Sequence, residues 1–320
     1  MEAPKTEVLI ALVGITGAGK TTFASVASGR TDLVIGYGVD PCTQDPEAID
    51  FQLDNHKVVL IDTPGFDDDA RSDLEILEDI GQWLVREGFS KNHQLDGLIL
   101  LHPITHNRVG GMERKRTKLL EKILGSDACK RVVIATTMWD DLVSEDAMMG
   151  RIEGRMAEGG VWADMVRQGA TIVRHRNNQG SAHDIIRRII RIANREGKVK
   201  PLLQLEMVQN QGKVFETSAG KELKEQLEEE IAHLMSQILD HRKERPPESW
   251  RKSRNGTNRR AWKEWDQERH ELAKKLEMRQ SQLKKLSGLV VSLAYLATHP
   301  DANDFEVRVK SFWRGLFGKN

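Results

Sequence analysis

Short, unbroken apolar runs alternate with stretches of helical spacing over the first 200 residues of the chain. Val8–Val13, Val58–Ile61, Leu98–Leu101, Val132–Ala135 and Thr171–Val173 are too short and too continuously apolar for surface helices, and read as strands buried on both faces. Between them, Thr21–Ser28, Arg71–Glu87, Met112–Leu124, Glu145–Glu158 and Ala182–Asn194 place apolar residues three and four apart, as helices with one buried side do. This alternation implies right-handed crossovers and a mostly parallel sheet with helices on both faces, an α/β fold.

The pattern changes after Gly197. Residues 201–216 are mixed and read as a connector. Leu223, Leu227, Ile231, Leu234 and Ile238 then fall on one helical stripe among Glu, Lys and Gln. Arg245-Pro246-Pro247 breaks it, because proline cannot continue a helix. A second stripe follows through Trp262, Trp265, Leu272, Leu276, Leu283, Leu286, Val290 and Leu293. The organisation expected is an α/β domain over 1–200, the connector, a coiled-coil-like helical hairpin over 217–299 and an aromatic tail over 300–320. Each helix of the hairpin could instead pack on the first domain or on a second copy.

Composition narrows this. Hydrophobic residues make up 39% of the 320, enough for a core, while 30% are charged. The 48 basic and 48 acidic residues cancel, so the totals give no support to a global polyanion binder. Only Cys42 and Cys129 are present, with no zinc spacing, which fits a reducing compartment and a cytoplasmic protein. The opening MEAPKTEVLIALVG lacks a leader pattern, and Gly288–Ala297 is about half of the ~20 apolar residues that a membrane span needs.

The chemistry lies at the strand ends. Gly14-Ile15-Thr16-Gly17-Ala18-Gly19-Lys20-Thr21 fits G-x-x-x-x-G-K-[ST], with a strand before it and a helix after it, as a phosphate loop requires. Its glycines, with Thr16, Ala18 and Thr22, would turn backbone N–H groups around a β-phosphate at a helix N-terminus. Lys20 would sit between β- and γ-phosphates, and the Thr21 hydroxyl would ligate Mg²⁺. A bare strand–helix turn is the bland alternative. A second element, Asp62-Thr63-Pro64-Gly65, ends the Val58–Ile61 strand. Asp62 would hold Mg²⁺ through water and the Gly65 N–H would meet the γ-phosphate, although D-x-P-G is also ordinary turn chemistry. In the loop Gly36–Asp45, Thr43 is the candidate to close over Mg²⁺ and the γ-phosphate.

Thr137-Met138-Trp139-Asp140 follows the Val132–Ala135 strand and fits the guanine-reading pattern [NT]-K-x-D except at Met138. Asp140 would accept from N1 and N2 of guanine, which adenine cannot reproduce. Met138 could lay its stem on the purine as a lysine does. Asp141 is an alternative reader, and either aspartate could simply cap a helix.

On GITGAGKTT, Cys42-Thr43-Gln44, DTPGF and TMWDDL, the chain resembles the septin-related GTPases, above all the GIMAP branch and fungal G-domain proteins, over about residues 7–195. The resemblance implies a G domain binding GTP or GDP with Mg²⁺. In such proteins the last base-contacting segment often holds Ser-Ala, so Ser181 and Ala182 are candidates, the Ala182 N–H meeting guanine O6; Ser181 could equally be a helix N-cap. The resemblance also implies face-to-face dimers in which an arginine near Arg108 reaches the partner's site. A surface arginine is the alternative. Phe66 stands where many small G proteins carry a water-orienting Gln, so intrinsic hydrolysis should be slow.

The expected reading is a Mg²⁺-dependent, guanine-nucleotide-binding switch or slow GTPase that self-associates through the G-domain face and the helical extension. The alternatives are a non-hydrolysing scaffold and an ATPase or small-molecule kinase on the same loop. Residues 242–263 hold nine Lys or Arg and two Glu with Trp250 and Trp262 interleaved. A solvated hairpin tip is expected there, ahead of nucleic acid or an anionic membrane. Ser311–Phe317 is expected to fold back on the body, ahead of docking on a partner or touching a membrane surface.

Overall fold

The computed structural model describes residues 6–33, 47–63, 65, 72–85, 94–105, 110–139 and 144–287. The chain forms two compact units, Met1–Glu222 and Leu223–Asn320. In chain order, unit 1 runs β1 (Thr6–Val13), α1 (Lys20–Ser28), β2 (Glu47–Leu53), β3 (His56–Asp62), α2 (Asp73–Val85), β4 (Gly97–Pro103), α3 (Gly111–Leu124), α4 (Ser126–Cys129), β5 (Val132–Thr137), α5 (Glu145–Met156), α6 (Ala163–Arg167), β6 (Thr171–Arg174), α7 (Gln179–Glu196) and α8 (Leu202–Gln209). A further helix, α9 (Ser218–Lys243), begins in unit 1 and ends in unit 2, where α10 (Gly256–Ser287) follows.

All five strands expected from the apolar runs form, in the order β3-β1-β4-β5-β6, and every neighbouring pair among them is parallel. The sixth strand, β2, pairs antiparallel with β3 at the edge. Its EAIDFQL buries only Ile49 and Leu53, one side of an edge strand, so it carries no continuous apolar signal. On one face of the sheet Ile10, Leu12, Leu60, Ile99 and Val133 pack with Phe23 and Ala24 of α1 and Ile185, Ile186 and Ile189 of α7. The alternate strand residues Leu9, Ile61, Leu98 and Ile134 are buried too and point the other way, as a period of two requires.

The connector after Gly197 is more structured than its mixed composition suggests. Val199 bridges to Leu95, and α8 packs against α2 and α3, with Gln204 Nε2 donating to Leu84 O at 3.1 Å. Asp96 ties this edge together: its Oδ2 accepts from Leu9 N at 2.8 Å and pairs with Lys198 Nζ at 3.0 Å. Beside the end of β4, Arg155 of α5 is almost wholly buried and grips Glu113 of α3, Nε to Oε1 at 2.7 Å, while its guanidinium lies 5.6 Å from the Trp162 ring centre.

In unit 2, Leu223, Leu227, Ile231 and Ile238 of α9 are buried as their spacing requires, with Met235 taking the place expected of Leu234. Arg279 of α10 pairs with Glu230 of α9 at 2.7 Å. His241 Nε2 lies 2.9 Å from Trp265 O, and Trp265 Nε1 donates to His241 O at 3.0 Å. These contacts set α9 and α10 antiparallel. On α10, Ala273 is buried where Leu272 was expected, with Trp262, Trp265, Leu276, Leu283 and Leu286. Val290 and Leu293 lie outside the described residues, as does the tail.

Candidate functional site

The parallel strands β1, β3, β4, β5 and β6 all end at one edge of the sheet, where open α/β sheets bind ligands. There the chain after β1 turns through Gly14–Gly19 into α1. Gly17 (φ 77°) and Gly19 (φ 92°) take left-handed conformations that a side chain would strain, and Gly19 is the N-cap of α1. Gly14 is fixed by space: a Cβ there would stand 2.5 Å from Leu101 O, the carbonyl of the neighbouring strand β4. Ala18 is fully buried and its N–H donates to Ile15 O at 3.1 Å, while Thr22 is half-buried in the first turn of α1.

Lys20 points back into this loop, its Nζ donating to Gly14 O at 3.2 Å and to Ile15 O at 3.0 Å. Burial pushes its ammonium down from 10.5 to about 8, and nearby Asp62 offsets part of that. A buried, desolvated cation held by two carbonyls is suited to take up a polyanion. Next to it, Thr21 Oγ1 donates to Asp62 Oδ2 at 2.6 Å, joining the start of α1 to the end of β3. A hydroxyl and a buried carboxylate, two hard oxygen donors in contact, suit Mg²⁺, which takes one or two protein oxygens and completes its shell with water and phosphate. The donor set therefore fits a magnesium-bound polyphosphate.

Two further contacts lock the loop. Thr16 Oγ1 donates to Gly65 O at 3.2 Å, and a Cβ on Gly65 would fall 2.5 Å from Thr16 N, so the segment after β3 lies directly on the phosphate loop. Thr137, buried at the end of β5, donates from Oγ1 to Ala18 O at 3.0 Å. Its hydroxyl thus braces the loop. Met138, next along, is left-handed (φ 55°) and about half exposed. Trp139 stacks 4.1 Å from the Arg174 guanidinium and donates from Nε1 to Thr136 O, and Arg174 pairs with Glu145 at 2.6 Å. Thr43, Arg108, Asp140, Asp141 and Phe66 lie outside the described residues.

The segment after β6 corrects one expectation. The last helix of the sheet begins at Gln179, and its N-cap is Asn178, whose Oδ1 accepts from Ser181 N at 2.9 Å. Ser181 is therefore inside the first turn and is not the cap. The Ala182 N–H donates to Asn178 O at 3.1 Å and its side chain is fully buried, so it is engaged in the helix and not turned to a base. Ser181 Oγ instead accepts from Arg176 N at 3.0 Å and lies 2.9 Å from His175 Nδ1. Burial pushes the His175 imidazole down to about 4, leaving it neutral against Phe23. His175 and the left-handed Asn177 (φ 50°) shape this corner and were not singled out from the sequence, where only the doubled asparagine before a helix hinted at a turn.

A glycine phosphate loop after the central strand, a buried lysine and a threonine–aspartate pair between α1 and β3 give unit 1 the P-loop GTPase G-domain fold, followed by a helical region. Residues 9–137 match the model of a family described as 50S ribosome-binding GTPase. Among solved structures, the chain is similar to Toc33 from Arabidopsis thaliana in complex with GDP and Mg²⁺ (15% identity, TM-score 0.49, covering 60% of this chain and 86% of that one). It is also similar to Era in complex with MgGDPNP and a segment of 16S ribosomal RNA (14% identity, TM-score 0.42, covering 59% of this chain and 57% of that one). Comparison with the curated proteins gave no match.

Proposed function

We propose that this protein binds GTP and GDP with Mg²⁺, hydrolyses GTP slowly and self-associates under nucleotide control. The observation that carries the reading is the contact of Thr21 with Asp62 beside a buried Lys20 in the glycine loop. On binding, Lys20 exchanges the carbonyls of Gly14 and Ile15 for β- and γ-phosphate oxygens, and that anion offsets the cost of its buried positive charge. Thr21 and Thr43, with Asp62 through water, would hold Mg²⁺, which would supply charge neutralisation for the phosphates when bound. The Gly65 N–H serves the γ-phosphate.

The family matched over residues 9–137 is one of GTPases, which supports guanine as the base. Asp140 reads it, and Met138, exposed and left-handed at the adjoining position, covers the purine face. Phe66 cannot orient a water, so turnover is slow in a lone chain. Arg108, offered to the site of a second copy, supplies the missing charge, a contribution of ~10³–10⁵ in rate where an arginine plays this part.

Titration with GTP, GDP and ATP in Mg²⁺, with mass measured alongside, tests the reading. Guanine nucleotides should bind at least tenfold tighter than ATP, and GTP should raise the mass. Phosphate release per molecule should climb with protein concentration, and Arg108→Ala should flatten that climb. Equal affinity for ATP removes the base assignment; no phosphate release leaves a binding scaffold.

A further inference from the structure

We propose that the tip of the α9–α10 hairpin docks single-stranded nucleic acid through its phosphate backbone. The sequence alone favours a solvated tip; three observations within this one unit favour a bound polyanion.

The first is segregated charge. Residues 242–263 carry nine Lys or Arg against two Glu, a formal +7 in a chain whose total is zero. Part of this is balanced locally: Arg245 and Arg251 share Glu248 at 2.8 and 3.6 Å, and Arg260 pairs with Glu264 at 2.8 Å. Lys252, Arg254, Arg259 and Lys263 have no carboxylate partner among the described residues.

The second is the placement of that charge on the helix. The N-terminus of a helix is its positive end and favours acids. α10 has 32 residues and no acid in its first turn, and Arg259 and Arg260 follow at once. The side chain of Asn255 already caps Thr257 N at 3.0 Å. Cations at a positive helix end repel it, and a phosphate group brought to this end reverses the sign of both contributions. Exceptions to a local rule are expected where a site functions.

The third is a cavity of about 450 Å³ one turn further along, lined by Arg251, Trp262, Lys263, Asp266, Gln267 and His270. Its volume falls in the range of small-ligand sites. It combines the accessible edge of the largely buried Trp262 with cationic and amide donors and one carboxylate acceptor, groups that can receive a nucleotide beside its phosphate.

The same tip is poorly made for a bilayer. Trp262 and Trp265 are buried, Trp250 is half-buried, and every exposed residue from 248 to 260 is charged, polar or glycine. An interfacial membrane anchor needs apolar side chains turned outward. A phosphodiester backbone needs only cations and donors.

The test uses the full chain and a fluorescein-labelled 20-nucleotide oligouridylate, read by anisotropy. Each neutralised phosphate contributes a slope of about −0.7 in log K against log salt, so four free cations give about −3 and an affinity loss of about 50-fold between 50 and 200 mM salt. The triple variant Lys252→Glu, Arg254→Glu, Arg259→Glu should lose binding by at least that factor at 50 mM salt, with its thermal unfolding unchanged or slightly raised, because all three side chains are exposed and Arg259→Glu puts an acid at the start of α10. No binding to the oligonucleotide at 50 mM salt overturns the proposal. So does binding that the charge reversal leaves untouched, or binding confined to vesicles containing 30% phosphatidylserine.

Discussion

Lys20→Met should make the nucleotide-free protein more stable while abolishing its grip on polyphosphate. Lys20 is fully buried, and its pKa is lowered from 10.5 to about 8. At about 1.4 kcal/mol per pH unit, keeping this ammonium charged in the folded state at pH 7 costs about 3 kcal/mol. Methionine has a similar length and no charge to desolvate, but it forfeits the two hydrogen bonds to Gly14 O and Ile15 O, about 1 kcal/mol each. The net gain is about 1 kcal/mol, or roughly 2–4 °C in melting temperature for a unit of this size.

The pH dependence separates this cause from better packing. The folded lysine has the lower pKa, so its penalty is complete below pH 8 and is lifted as pH rises from 8 toward 10.5. Between pH 7 and 9.5 the wild type should therefore recover about 2 kcal/mol relative to the variant. Urea unfolding of both proteins at the two pH values, in EDTA and without nucleotide, measures the difference. A stability gap between them that is the same at pH 7 and pH 9.5 refutes the assignment of the penalty to the buried charge.

Other consequences are equally direct. Gly14→Ala puts a Cβ 2.5 Å from Leu101 O, a backbone atom with little freedom to retreat, and should cost about 2–3 kcal/mol in chemical unfolding. Arg155→Met leaves the Glu113 carboxylate without its buried guanidinium and should cost about 3–5 kcal/mol; adding Glu113→Gln should return much of that, and a double variant no better than the single one excludes the ion pair as the cause. Thr21→Val removes the hydroxyl that meets Asp62 and should bring GDP affinity in Mg²⁺ down to the value in EDTA, by at least tenfold in titration calorimetry.

The parallel strands were legible because burial on both faces writes an unbroken apolar run, as in Val132-Val133-Ile134-Ala135. Edge strand β2 escaped because only one of its sides is covered. Helix α8 escaped for the opposite reason: LLQLEMVQ is apolar nearly all round, with Leu205 and Val208 exposed, so no stripe marks its buried side. The start of α7 was displaced by three residues because Asn178 and Ser181 are both good caps, and only the bond from Ser181 N to Asn178 Oδ1 decides between them. The phosphate loop was readable at once, since Gly17 and Gly19 answer a local demand for positive φ and the spacing of the motif marks Gly14 as well. His175 was not readable, because its neutrality comes from burial against Phe23, which lies far away in the sequence.

The hydrogen bond from Thr137 to Ala18 makes the two ends of the site mechanically one piece. It spans 119 positions of chain, yet it fastens the end of β5 onto the glycine loop before α1. A nucleotide lying across both would be clasped between jaws that share a rivet, so its departure would loosen the two ends together. Removing that single hydroxyl with Thr137→Val would let the jaws work loose independently, and the lifetime of the complex would shorten even where no atom of the nucleotide had lost a contact.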